Sequence, residues 1–223
     1  TREQMDAFAL TSLERAQHAV SNGLFVDEIA PVTHTTRKGE AVYDTDETPG
    51  QARPEKIPQL KPAFSKDGGV TAANASSISD GAAALIIGSR AAGDAAGIAP
   101  RARILAGAVA GVAPRVMGLG PVEACNKALA RAGLTLDQMD VIEINEAFAT
   151  QVLGCCKQLG LAGDDERLNP NGGAIAVGHP LGASGARLAL TAMRQLEASG
   201  GRYALVSLCI GVGQGVAMVI ERQ

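Results

Sequence analysis

No two cysteines in this 223-residue sequence are spaced CxxC, and no His/Cys cluster has the spacing of zinc ligands. The four cysteines, Cys125, Cys155, Cys156 and Cys209, are too few and too scattered for the disulfide scaffold of a small secreted domain. That pattern predicts a reducing interior and a cytoplasmic protein with no metal site. Charge of one sign is lacking too: 20 Lys and Arg stand against 23 Asp and Glu. The balance offers no field to nucleic acid or to an anionic membrane, so any polyanionic partner must be small. No apolar run nears the roughly 20 residues that span a bilayer, and no segment has the pattern of a cleaved leader. What is present is enough apolar residue, 46% of the chain, to bury the core of one large domain or two small ones.

From Thr1 to Gly23 the apolar residues Met5, Phe8, Ala9, Leu13, Ala16 and Val20 recur at three- and four-residue steps. Thr1 can cap this helix with Gln4, and Asn22-Gly23 can stop it. A sequence that opens directly in a helix reads as part of a longer chain. A strand is expected around Glu28 to Thr35. Charges and the prolines 31, 49, 54, 58 and 62 then make the stretch to about Gly69 a loop-rich excursion. The apolar run Gly81 to Ile87 precedes an Ala-rich helix that ends before Pro100. Strands are expected at 103–112, 141–144, 203–210 and 216–220, and helices at 121–132, 146–159 and 187–198. This alternation predicts α/β layers with short strands buried on both faces. The last two strands, joined only by Gly211 to Gly215, can pair as neighbours.

Three segments fall at strand ends or strand–helix junctions, where α/β sheets place their sites: 145–149, 171–186 and 209–215. His179, held between Gly178 and Pro180, suits a general base; a loop histidine bonding a nearby carbonyl is the plainer alternative. Cys209 ends an apolar strand ahead of Gly211, Gly213 and Gly215, which let backbone N–H groups approach a ligand oxygen. It can exchange protons beside an oxyanion site, or be only a small buried residue. Asn145 reads by itself as an N-cap, with Glu146 favouring the positive helix end. His18 and His34 read as surface residues, and Cys125, Cys155 and Cys156 as helix packing. Gly182-Ala183-Ser184-Gly185-Ala186 falls short of a GxSxG nucleophile elbow because its last residue is Ala and a Pro-containing loop precedes it. Gly211 to Gly215 lacks the spacing and the following helix of a dinucleotide loop.

Five segments together resemble thiolase signatures, in order and along essentially the whole chain. They are VTAANASSISDGAAAL at 70–85, APRVMGLGP at 113–121, NEAFA at 145–149, NPNGGAIAVGHPLGASGAR at 169–187 and CIGVGQG at 209–215. The resemblance implies acyl transfer between coenzyme A and an acyl-CoA, degradative or condensing, with CoA thioesters as substrates and no permanently bound cofactor. His179 then matches the histidine that activates the nucleophilic cysteine and serves an oxyanion hole, and Asn145 the residue holding that hole's water. Cys209 matches the cysteine that removes a proton from the acetyl methyl or returns it, and the Gly211 N–H a donor of a second oxyanion hole. Ser76 matches a contact of the pantetheine arm, with Ala72 nearby, while Arg53 and Phe64 meet the nucleotide end and Met117, Ala147 and Phe148 line the acyl pocket.

The implied fold is two similar βαβαβαββ halves plus a loop domain over coenzyme A. Residues 1–77 would be the rest of the loop domain, 78–100 the closing piece of the N-terminal half, and 101–223 the complete C-terminal half. The family's nucleophilic cysteine precedes all of these, and no cysteine here has its glycine-rich setting. The expected partner is therefore the N-terminal half that carries it, with homodimers or tetramers above that. A non-catalytic acyl-CoA-binding or assembly protein is the alternative. A decarboxylating condensing enzyme would carry a second histidine where this chain has Cys209. The chain-length preference stays open among acetoacetyl, longer 3-ketoacyl and 3-oxoadipyl substrates.

Overall fold

The computed structural model describes residues 1–223. Helix α1 (Arg2–Ser21) begins with the expected capping box: the Thr1 hydroxyl accepts the Gln4 N–H at 3.3 Å, and the Gln4 carboxamide oxygen accepts from the Thr1 amino group at 2.7 Å. Met5, Phe8, Ala9, Leu13 and Ala16 are buried on one face. The strand expected at 28–35 starts four residues later, because Pro31 has no N–H to give a ladder. It is one arm of a hairpin, β1 (Val32–Thr36) and β2 (Gly39–Tyr43), paired antiparallel with Val32 opposite Tyr43. The second arm falls in the stretch expected to be loop. The short helix α2 (Thr48–Gln51) and a 3-10 turn at Pro54–Gln59 follow. The run from Gly81 to Ile87 adopts no regular structure and is open to solvent, with Ile86 99% and Ile87 72% exposed. Helix α3 (Arg90–Ala96) then ends on Gly97.

The rest of the chain is a four-stranded sheet. In chain order it contributes β3 (Ala102–Gly111), α4 (Gly120–Ala132), β4 (Val141–Ile144), α5 (Ala149–Leu159), α6 (Ala174–Val177), α7 (Ser184–Ser199), β5 (Tyr203–Ile210) and β6 (Gln214–Arg222). The strand order is β3-β6-β5-β4, with β4 and β5 parallel and β6 antiparallel to both of its neighbours. The last two strands do form a hairpin. Alternate side chains of β5 face opposite layers, as a pleated strand requires. Ala204 and Val206 pack with Leu188, Ala192 and Leu196 of α7, whereas Leu205 packs with Cys125, Ala128 and Leu129 of α4. The expected α/β layering is thus observed. β4 is buried throughout, but the expectation of two covered faces fails at β3, an edge strand with Ile104 47% and Val109 62% exposed. No helix is long and apolar enough to cross a membrane.

Candidate active site

Because β4 and β5 run parallel, their C-terminal ends meet at one edge of the sheet. Asn145 is the first residue after β4, and its N–H donates to Ser207 O of β5 at 2.9 Å. Cys209 lies two residues beyond Ser207 and so points to the same side of β5. Asn145 does not cap a helix. Helix α5 begins four residues further on, at Ala149 behind Phe148, because Asn145 and Glu146 are spent on buried polar contacts. Glu146 accepts from Ser12 Oγ at 2.7 Å, Asn169 Nδ2 at 2.9 Å and Ile175 N–H at 3.1 Å. These bonds tie α1, the 169–175 loop and the end of β4 together, a different task from favouring a helix terminus.

His179 comes to Asn145 from the segment 171–186. Gly178 permits this with φ +95°, and a Cβ there would lie 2.2 Å from Ser79 Oγ, so only glycine fits. The His179 N–H donates to Ser77 O at 2.9 Å. Ser184 Oγ donates to Pro180 O at 3.1 Å and lies 2.6 Å from His179 Nδ1. With the hydroxyl proton committed to Pro180, its oxygen accepts Nδ1–H. That fixes the tautomer and leaves the lone pair on Nε2, which faces Asn145 Nδ2 at 3.3 Å. Burial, and then the positive charge of Arg187, lower the His179 pKa. The ring is neutral and able to take a proton at neutral pH. Asn145 Oδ1 is buried without a partner in the chain.

Cys209 is buried, and burial raises its pKa. The other thiols lie deeper in helix packing, as expected, with pKa values pushed up by burial to about 11 for Cys125 and about 12 for Cys155 and Cys156. All four are thiols rather than thiolates at pH 7. The glycines after Cys209 divide their roles. A Cβ on Gly213, at φ +97°, would strike Val112 O at 2.3 Å, and one on Gly215 would strike the Gly120 carbonyl carbon at 2.1 Å, so both serve close backbone packing. Only Gly211 is open, with nothing within 4 Å of its Cβ position. Between them Val212 sits at φ +71°, a strained conformation for a β-branched residue.

Phe64, Ser76, Ala147 and Phe148 come together. Ser76 donates its N–H at 3.0 Å and its hydroxyl at 3.2 Å to Ala147 O, and the Phe64 and Phe148 rings stack edge to face at 6.2 Å. Met117 rides on a 3-10 turn (Pro114–Leu119) packed against α5, where Cys155 Sγ donates to Gly118 O at 3.2 Å. Arg53 and Ala72 lie apart from this group, lining a cavity of about 300 Å³ with Lys56, Leu60 and Ile175.

Sequence reasoning dismissed Ser184 as a nucleophile and missed it as the partner of His179; the five-residue step from His to Ser was the available signal. It also missed a buried polar cluster along α7. Gln195 donates to Glu143 Oε1 at 2.7 Å and Thr191 to Glu28 Oε2 at 2.8 Å, while Glu143 Oε2, Glu28 Oε1 and Arg187 Nε and Nη2 have no partner. Burial, opposed first by Arg187, raises the Glu143 pKa from 4.5 to about 7. Glu28, Asp46 and Glu146 are raised by burial as well. A carboxyl that holds its proton more tightly when folded contributes stability below the unfolded value of 4.5 and loses it as pH rises through about 7. For Glu143 alone the loss is on the order of 3 kcal/mol. Glu143→Gln keeps the Gln195 bond and cannot ionise. Chemical denaturation at pH 5 and pH 8 should show a smaller drop in stability in the variant than in the parent. An equal drop in both would refute the assignment.

Comparison with known proteins fits this geometry. Residues 1–91 match the family described as the N-terminal domain of thiolase, and residues 98–222 its C-terminal domain. The chain is 56% identical to a beta-ketoadipyl-CoA thiolase of Acinetobacter baylyi, over 99% of this chain and 56% of the relative. It is 53% identical to a 3-oxoadipyl-CoA/3-oxo-5,6-dehydrosuberyl-CoA thiolase of Escherichia coli, over 100% of this chain and 56% of the relative. The crystal structure of a Bacillus anthracis acetyl-CoA acetyltransferase superimposes with a TM-score of 0.96 at 43% identity, over 100% of this chain and 56% of that one. The chain therefore spans little more than half the length of these relatives.

Proposed function

The chain belongs to the thiolase family, and from that premise we propose that it supplies the acid–base part of an acyltransferase that cleaves 3-ketoacyl-CoA with coenzyme A, or runs the reverse condensation. The observation that carries this reading is Asn145, whose side chain faces the tautomer-fixed neutral His179 and whose N–H bonds Ser207 O, two residues before the protonated Cys209 on β5. A module that only bound acyl-CoA would have no use for that set. The nucleophile is assigned to a cysteine outside residues 1–223, since all four thiols here are buried and none hydrogen-bonds the His179 ring.

In thiolysis that cysteine gives its proton to His179 Nε2 and attacks the 3-keto carbon, whose oxygen becomes an oxyanion near Asn145 and His179. The bond between C2 and C3 breaks, leaving an acyl-enzyme and the enolate of acetyl-CoA. Cys209 protonates the enolate carbon, with the Gly211 N–H beside the enolate oxygen. Acetyl-CoA then leaves, and the thiolate of Cys209 recovers its proton from the incoming coenzyme A. The CoA sulfur attacks the acyl-enzyme thioester, and the cysteine departs with the proton held on His179. Coenzyme A is a substrate throughout, with Ser76 and Ala72 assigned to its pantetheine arm, Arg53 and Phe64 to its nucleotide end, and Met117, Ala147 and Phe148 to the acyl pocket.

The division into loop segment (1–77), closing segment (78–100) and C-terminal domain (101–223) is part of the same reading. The open apolar run with Ile86 and Ile87 supports an N-terminal thiolase half as the partner that covers it. The names of the relatives favour 3-oxoadipyl-CoA as the substrate. The test is thiolysis of acetoacetyl-CoA and 3-oxoadipyl-CoA by the chain alone and with the N-terminal half. Cleavage only with both parts is expected, and no cleavage of either substrate by the combined protein would overturn the proposal.

A further inference from the structure

We propose that Arg115 is a specificity-determining residue that takes the terminal carboxylate of a dicarboxylic 3-oxoacyl-CoA. The inference rests on the thiolase reading and concerns which acyl chain the site prefers. Arg115 is exposed on the Pro114–Leu119 turn and makes no hydrogen bond or ion pair. No acidic residue occurs between Asp94 and Glu123 to neutralise it locally, and Glu123 itself pairs with Lys127.

The turn is fastened at both ends to the candidate site. On one side Val112 N–H donates to Gly213 O at 2.8 Å, and a Cβ on Gly213 would lie 3.2 Å from Pro114 Cα. That joins it to the turn after Cys209. On the other side a Cβ on Gly118 would lie 2.9 Å from Gln151 Cγ, and Gln151 Oε1 accepts the Ala147 N–H at 3.2 Å. That joins it to the residues assigned to the acyl end. Arg115 thus stands on a bridge between the two, an uncommitted cation beside small and apolar neighbours. The other cation near the site, Arg187 of α7, has its Nε and Nη2 buried, and its charge opposes the raised pKa values of Glu28, Asp46 and Glu143. A guanidinium grips a carboxylate through two parallel N–H bonds, which a methyl-ended chain cannot offer.

The matched probes are 3-oxoadipyl-CoA and 3-oxohexanoyl-CoA, acyl chains of the same length ending in carboxylate and methyl. The readout is the ratio of their kcat/KM values in the protein completed by its nucleophile-bearing half. Arg115→Ala should lower that ratio roughly 10- to 100-fold, the worth of a charge-assisted contact. Arg115→Glu should lower it further, and Arg115→Lys less. Turnover of 3-oxohexanoyl-CoA reports that each variant is folded. A ratio that stays at the parent value in both Arg115→Ala and Arg115→Glu overturns the inference and leaves the thiolase reading standing. A parent protein that cleaves neither substrate overturns that reading and the inference with it.

Discussion

Replacing His179 with alanine should lower kcat/KM for thiolysis by two to four orders of magnitude, roughly the contribution of a positioned general base. The expectation follows from a ring whose two nitrogens have separate tasks. Nδ1 is held by Ser184 at 2.6 Å, and Ser184 in turn by the Pro180 carbonyl, so the lone pair on Nε2 has no alternative orientation. Burial and Arg187 keep that nitrogen unprotonated down to a lower pH than a free histidine. The acid limb of the pH–rate profile should accordingly lie below the ordinary histidine range. Ser184→Ala should cost less in rate, because Nε2 survives while its tautomer is released. The His179 variant must lose both acyl exchange between CoA thioesters and carbon–carbon cleavage, since both need the same proton to move. Near-parental exchange in a folded His179→Ala protein would remove His179 from the mechanism.

Cys209→Ala should be as damaging to cleavage, by roughly two to four orders of magnitude, but with a different signature. Its raised pKa keeps it a proton donor at neutral pH, which is what an enolate of acetyl-CoA needs and what an attacking nucleophile lacks. Acyl exchange, which breaks no carbon–carbon bond, should persist in this variant. Hydrogen exchange at the acetyl methyl of acetyl-CoA in deuterated water, followed by mass spectrometry, should be lost. Retained exchange would contradict the assignment. On the proposed roles the two variants separate the two halves of the chemistry, with His179 serving every step at the thioester and Cys209 the proton transfers that accompany carbon–carbon cleavage.

Much of this was legible before the fold was known, and the limits are physical. Helices α1, α4 and α7 announce themselves through apolar spacing, and α1 also through its stop at Asn22-Gly23, because both signals are local. The β5–β6 hairpin is legible for the same reason. Strand β2 was not, since an exposed two-stranded ribbon carries no apolar alternation to read. The start of α5 was placed too early because Glu146 resembles a first-turn acid. Its real partners, Ser12 and Asn169, lie 134 and 23 residues away. The candidate residues His179, Cys209 and Asn145 were found from glycine context and family motifs, but what holds His179 was not. Ser184 acts only once the loop folds back on Pro180, and Arg187 only once α7 packs over Glu143. Gly213 and Gly215 read as ligand-facing, while their reasons are Val112 and Gly120, about a hundred positions earlier in the chain. Long-range contacts of this kind leave no local pattern.

The central claim is a division of labour, with acid–base chemistry in residues 1–223 and the covalent step elsewhere. Peptide mapping by mass spectrometry, after brief exposure of the combined protein to acetyl-CoA and an acid quench, tests it most directly. The acetyl group is predicted on a cysteine outside this chain, with Cys125, Cys155, Cys156 and Cys209 all unmodified. An acetyl thioester on any of these four would show that the chain holds its own nucleophile and would contradict the account.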